Sequence, residues 1–339
     1  MIEVDGSFLE GGGQILRTAT ALAAIKKIPC RIFNIRKGRP NPGLQTQHLM
    51  GLKALAELCQ AKLQGDFLGS QEIKFWPGEI KKEKLKIKIE TAGAITLVLQ
   101  TLIPVCLFAK NPVEIEFEGG ATDTFFAPTV DYFRYVFLSV LEKMGPKIEI
   151  DVLKRGYYPE GGSQVKVKIY PSKLKPINLT ERGGFKKILI ISGASESLKN
   201  KKVAERQLMG TREVLKKLNL PIEERIEYYQ TQSPGSQICL IAEFEKTKIG
   251  VDNLGRLGKR AEDVGKEAAL ELLKEEKSKA CLDKHLADQI LPYLALAEGK
   301  SAVIVSEITN HAKTNIWIIQ KFVEGEFKIE GNLIQWVPK

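Results

Sequence analysis

Thr309-Asn310-His311-Ala312-Lys313-Thr314-Asn315 sets a histidine among small polar residues just ahead of an amphipathic stretch. Neutral imidazole is available near pH 7 and attacks phosphorus without first losing a proton, so His311 is a candidate nucleophile. A lone histidine in a turn is more often structural, and the residues alone leave both readings open. His48 and His285 are the only other histidines of the chain.

A nucleophile of this kind needs a phosphate site, and Asp5-Gly6-Ser7-Phe8-Leu9-Glu10-Gly11-Gly12-Gly13-Gln14-Ile15-Leu16-Arg17 has the makings of one. Glycines let the backbone approach a ligand, and free N–H groups at a helix start attract anions. Arg17 falls about one turn into the helix, and Glu10 precedes the glycines where a carboxylate can hold a divalent cation. No Gly-Lys-Ser/Thr follows, so this is no Walker loop, and a ligand-free glycine turn has the same appearance.

Two further runs carry candidate contacts. Arg36-Lys37-Gly38-Arg39-Pro40-Asn41-Pro42-Gly43-Leu44-Gln45-Thr46-Gln47-His48 gathers cations before a Pro/Gly turn and a helix start, a composition suited to phosphate recognition or to a solvated basic loop. In Lys284-His285-Leu286-Ala287-Asp288-Gln289, polar residues sit on a nearly apolar helix, as caps or as contacts to a polar ligand.

The elements that must position these residues are legible in the pattern. Helical stretches are expected from Gln14 to Ile25, Leu44 to Ala61, Ala94 to Phe108 and Pro128 to Met144. Val113 to Glu118, Lys147 to Val152 and Val165 to Tyr170 alternate apolar and charged residues as half-buried strands do. The order hints at a structural repeat of glycine-rich entry, helix and alternating strand, an order that generic α/β chains share.

From about Arg182 to Lys277 the grammar changes to a strand (Lys186 to Ile191), a long helix (Val203 to Leu218), strands near Ile226, Ile238 to Phe244 and Thr247 to Val251, and a charged helix (Arg260 to Lys277). It reads as a self-contained insert. Helical Asp283 to Glu298 follows, and Thr314 to Lys328 reads as a helix passing into strand-like residues. The expected organisation is a large domain formed by residues 1–181 and 278–339, interrupted by a small α/β insert over residues 182–277.

With 339 residues and 43% apolar content the chain can bury a sizeable core without metals or disulfides. Cys30, Cys59, Cys106, Cys239 and Cys281 are widely spaced and odd in number, which predicts buried, inert thiols rather than a zinc site. The net charge of +10 favours anionic partners, nucleic acid first among them. Lys81 to Lys88 and Lys199 to Lys202 are candidate RNA contacts or solvated faces. No run approaches the roughly 20 apolar residues of a membrane span, and the start lacks the build of a signal peptide, so a cytoplasmic protein without membrane partners is expected.

The strings EGGGQILRTATALA, IRKGRPNPGLQTQHL, TAGAITLVLQTLIP, RGYYPEGG, HLADQILPYLALA and HAKTNIWIIQKF occur in this order between residue 5 and about residue 323. Through them the chain resembles the RNA 3'-terminal phosphate cyclases. The resemblance implies an α/β (α+β) fold: a large domain of repeated units of two helices on a four-stranded sheet, with a smaller thioredoxin-like insert. It also implies ATP-dependent conversion of an RNA 3'-phosphate to a 2',3'-cyclic phosphate through a covalent histidine-AMP at His311. ATP, a divalent metal (Mg or Mn) and RNA bearing a 3'-phosphate are then the implied partners. By position, Glu10 is implied as the metal contact, and Gln14, Arg17, Arg36, Arg39, Gln47, Asp288 and Gln289 as nucleotide contacts. Pro128 and His285 are implied to sandwich the adenine, His285 standing where some members have tyrosine. Three other readings remain: a non-catalytic cyclase-like RNA-binding factor, an adenylyltransferase with another nucleic-acid-end acceptor, and an enolpyruvyl-transferase-like enzyme on a related scaffold.

Overall fold

The computed structural model describes residues 1–216 and 220–339. Its first unit runs β1 (Ile2–Asp5), α1 (Gly13–Lys26), β2 (Cys30–Phe33), α2 (Thr46–Leu58), β3 (Lys62–Gln64) and β4 (Ile73–Trp76). Helix α1 carries the chain back so that β1 and β2 pair in parallel, while the short connection from β3 to β4 gives an antiparallel pair. The sheet order is β1-β2-β4-β3.

The second unit repeats this plan with β5 (Lys84–Ala94), α3 (Ile95–Cys106), β6 (Val113–Ala121), a second helix, β7 (Lys147–Lys154) and β8 (Gln164–Tyr170), in the order β5-β6-β8-β7. Its second helix is irregular: α4 (Val130–Tyr132) passes through a π-helical turn (Phe133–Phe137) into α5 (Leu138–Leu141). The Lys-rich run is explained here. Strand β5 buries Leu85, Ile87 and Ile89 and turns Lys84, Lys86 and Lys88 to solvent. There Lys84 lies 3.6 Å from Glu114, Lys86 3.9 Å from Glu116, and Lys168 closes on Glu114 at 2.9 Å. The run is a cross-strand charge ladder in which carboxylates already answer the lysines, and exposed pairs of this kind add little to stability.

The third unit opens with β9 (Asn178–Leu179) and is then interrupted by β10 (Phe185–Ser195), α6 (Val203–Leu215), β11 (Ile222–Tyr229), β12 (Ser236–Phe244), β13 (Lys248–Leu254) and α7 (Ala261–Lys277). It resumes with α8 (Lys284–Leu296), β14 (Ser301–Ile304), α9 (Asn310–Phe322), β15 (Gly325–Glu330) and β16 (Leu333–Pro338), in the order β9-β14-β16-β15. All three sheets thus share one order: first, second, fourth, third. The helices close a ring in the same sense, with α1 against α9, α3 against α2, and α8 against the π-helical turn. The expected repeat is therefore present in the backbone, and no helix among the described residues is long and apolar enough to cross a membrane.

The intervening sheet, β11-β10-β12-β13, differs from a self-contained unit in one respect. Ile188, Ile190, Ile238 and Leu240 face a small core shared with α6 and α7, but the alternate residues Leu189, Ile191, Cys239 and Ile241 join the large core. Its central strands are buried on both faces, which is why they read as continuous apolar runs. The expected helix end at Leu218 lies outside the described residues. All five cysteines are buried free thiols, and burial raises those of Cys30 and Cys59 to about 12 and about 11.

Polar groups fasten the same junction. Arg155 donates to Asp123 at 3.1 Å and to Asp131 at 2.6 Å, all three side chains being almost wholly buried, and its guanidinium lies 4.6 Å from the Tyr229 ring of β11. Removing one partner of a buried ion pair strands the rest, so Arg155→Met should cost about 3–5 kcal/mol in urea unfolding, and adding Asp123→Asn with Asp131→Asn should restore part of it. Equal urea midpoints for wild type and Arg155→Met would contradict this account.

Candidate active site

Thr309 caps α9 by accepting from the Ala312 amide at 3.1 Å, so the helix starts at Asn310 and takes His311 into its first turn. The sequence pattern had put this run ahead of the helix. The difference matters because the unpaired amides and positive end of the dipole now sit beside the imidazole. Asp283 caps α8, accepting from the amides of His285 at 3.0 Å and Leu286 at 2.9 Å. Asp288, one turn further on, is therefore released from capping and faces α1.

Gln14 ties these helices together. Its amide nitrogen donates to Asp288 Oδ2 at 3.1 Å and to the His311 carbonyl at 3.0 Å. With the NH2 end fixed by two acceptors, Gln14 Oε1 is the atom that meets His311 Nδ1. An amide oxygen only accepts, so Nδ1 carries the proton and the lone pair is on Nε2. That nitrogen lies 3.8 Å from Glu10 Oε1. Glu10 is in turn held by Arg39, whose Nη2 also donates to the Glu10 carbonyl at 2.8 Å. Burial lowers the pKa of His311, as do Arg17, Arg39 and His285, against the opposing charge of Glu10; neutral imidazole is favoured.

Below this point Thr18 donates to Asn315 Oδ1 at 2.8 Å and Asn315 donates to the Asp288 carbonyl at 2.7 Å. Gln14 and Thr18 on α1, like His311 and Asn315 on α9, are four residues apart and share a helix face, so their bonds form two rungs of one ladder. Thr18 was not singled out in the sequence, and Asn315 only as the end of the Thr309–Asn315 run; polar residues at i+4 on otherwise apolar helix faces were the available signal for both. Arg17 is half-buried beside a small cavity between α1, α3, α8 and α9. Burial pulls its pKa down to about 10, which leaves it charged at neutral pH, and burial raises Asp288 to about 7 against the attraction of Arg17.

The other candidates are placed less centrally. Arg36 adopts φ +54, half-buried, and has no ion pair among the described residues; burial and the neighbouring charge of Arg39 lower its pKa. Gln47 lies in the first turn of α2, opposite Gly93, with no side-chain hydrogen bond to the cluster among the described residues. The amide of Thr129, next to Pro128, donates to Asp252 at 2.6 Å, and His285 stands in the first turn of α8, its amide bound by the cap Asp283. Gln289 accepts from Gln100 of α3 at 3.2 Å and donates to the His285 carbonyl at 3.0 Å.

His48 belongs to the framework. Its Nδ1 accepts from the Gln45 amide at 3.1 Å in a capping box, and a Cβ on Gly13 would lie 1.9 Å from its Nε2, so the last glycine of the triplet is required by packing on this ring.

The family model described as RNA 3'-terminal phosphate cyclase matches residues 8–329. The chain belongs to the RNA 3'-terminal phosphate cyclase family. Relatives bearing that name include one from Pyrococcus furiosus, 46% identical over 334 residues, covering 98% of this chain and 96% of the relative. Others come from Ignicoccus hospitalis, at 44% identity over 98% of this chain and 96% of the relative, and Saccharolobus islandicus, at 45% over 98% and 97%. Among solved structures, the enolpyruvyl transferase NikO from Streptomyces tendae aligns at 10% identity and a TM-score of 0.29 over 100% of this chain and 82% of that one, too slight a likeness to bear on fold or function.

Burial and the charges of Arg17 and Arg36 drop His48 from an ordinary 6.5 to about 3. Between those values the unfolded chain binds the proton that the folded chain refuses, so folding stability falls on acidification by about 1.4 kcal/mol per pH unit from this residue. Urea midpoints measured from pH 6.5 to 4.5 should fall more steeply for wild type than for His48→Asn; parallel slopes would remove His48 as the cause.

Proposed function

We propose that this family member uses ATP to convert an RNA 3'-terminal phosphate into a 2',3'-cyclic phosphate, with His311 as the nucleophile. The observation that carries the reading is the Gln14 clamp: a half-buried, neutral imidazole whose Nδ1–H is engaged and whose Nε2 lone pair faces Glu10 and Arg39 at a helix N-terminus.

In this reading Nε2 attacks the α-phosphorus of ATP, the Nε2–P bond forms as the bond to pyrophosphate breaks, and Nδ1 keeps its proton. The adenylyl group passes to an oxygen of the RNA 3'-phosphate, which frees the imidazole. The adjacent 2'-hydroxyl attacks the activated phosphorus, AMP leaves, and the hydroxyl proton goes to solvent. The products are the cyclic end, AMP and pyrophosphate. Such transfers depend on in-line positioning and charge neutralisation, and Arg17, Arg36 and Arg39 are the cations proposed to supply the latter. Asp288 and Gln14 act on the imidazole by fixing its tautomer and plane. Gln47 and Gln289 are the remaining polar contacts proposed for ATP, and Pro128 and His285 the walls for adenine.

A divalent metal, magnesium or manganese, fits Glu10. Among the described residues no three of His, Cys, Asp and Glu converge, and Glu10, which is paired with Arg39, would hold such an ion together with substrate phosphates. When bound, the ion neutralises phosphate charge at the reacting end of ATP.

Incubation with ATP and magnesium or manganese should add one adenylyl mass to the wild-type chain and none to His311→Ala, read by intact-mass spectrometry. Gln14→Ala, which frees the imidazole, should slow adduct formation by about 10–100-fold while ATP binding changes less. No adduct in either protein, with ATP binding confirmed, would favour a non-catalytic RNA-binding relative; an adduct in both would displace His311 as the nucleophile.

A further inference from the structure

The loop after β6 carries two phenylalanines that the site above does not use. Phe126 is 100% exposed and adopts φ +64, a backbone region that bulky residues rarely enter. Phe125 beside it is met edge-on by Tyr158, itself 60% exposed, with ring centroids 6.3 Å apart. The Arg256 guanidinium covers Phe125 at 5.0 Å, and Leu257 next to it stands fully in solvent. Three separate segments, after β6, β7 and β13, thus present rings and a cation at one place.

The charge around the patch is unbalanced. Its neighbours Lys259 and Arg260 lie against Glu267 and Glu262, whereas Arg256 has no ion pair among the described residues. A strained, wholly exposed phenylalanine is a costly feature for a surface with no ligand, and the exposed Arg256, whose charge reaches Glu267 without pairing to it, keeps its guanidinium donors open to an anion. Along the chain the patch adjoins Pro128 and its neighbour Thr129. Phe126 is two residues from Pro128, and Asp252, which holds the Thr129 amide, is four residues before Arg256 on the same strand exit.

We infer that Phe125, Phe126, Tyr158 and Arg256 form a stacking platform for the last bases of single-stranded RNA, which enters with its 3'-end toward His311; this rests on the cyclase reading. Every base has a π face, so stacking on Phe126 and Tyr158 tolerates any sequence, and Arg256 adds a cation for the backbone between stacked bases. The positive net charge of the whole chain complements such a ligand.

The test uses the full chain and a single-stranded oligoribonucleotide of about ten nucleotides ending in a 3'-phosphate, alongside the same oligomer with abasic ribose at its last positions. Phe126→Ala combined with Tyr158→Ala should weaken binding of the normal oligomer, and raise its KM for cyclisation, by about tenfold or more. Arg256→Ala should weaken both oligomers, Phe126→Trp should bind as wild type, and RNA-free adenylation of His311 should be unchanged throughout. The abasic oligomer should bind wild type and the double variant alike. The platform is overturned if the double variant binds the normal oligomer as tightly as wild type does. If wild type never acquires an adenylyl group yet the binding differences appear, the cyclase reading fails and the platform stands.

Discussion

The side-chain amide of Gln14 joins helices that lie far apart in the chain, and the chemistry proposed for His311 depends on it. Its nitrogen is committed to Asp288 and to a carbonyl of α9, which leaves only its oxygen for the imidazole and so decides which ring nitrogen is free. Were Asp288 needed as a cap, that order would collapse; Asp283 takes the capping duty one turn earlier. The second rung, Thr18 to Asn315, fixes the spacing of α1 and α9 so that the first can form.

The ring of repeated units explains why these helices meet. Each unit leaves one apolar helix face uncovered by its own sheet, and the neighbouring unit covers it, so α1 of the first unit reaches α9 of the third. The interruption between β9 and α8 does not disturb this closure, because its sheet turns one face back onto the large core and is fastened there by Arg155. Asp283 serves both assemblies: it caps α8 while accepting from Tyr132 at 2.7 Å and from the Gly250 amide of β13 at 3.0 Å. The position of the inserted sheet is thereby coupled to the start of the helix that carries Asp288.

Much of this was visible along the chain. Amphipathic periods located the helices to within a few residues, and alternation located β6, β7 and β8, since a half-buried strand must alternate. Very short strands such as β9, at two residues, carry too little pattern to find. The start of α9 was missed because Thr309 works as a cap through one hydrogen bond, whereas the apolar period begins later. His48 and the lysines of β5 had two readings each, and burial against Gly13 and cross-strand carboxylates chose between them.

The sequence by itself determined which side chains were available for phosphorus chemistry, the alternation that makes each unit fold, and the ordered strings that mark the family. Residue type and local period are properties of the chain, so they survive without coordinates. Only the tertiary structure decided which nitrogen of His311 meets Gln14, the pairing of Asp288 with Gln14, and the meeting of Phe125, Tyr158 and Arg256. Those depend on pairings between residues up to 297 positions apart, and distances over such separations are set by packing of the units rather than by any local preference.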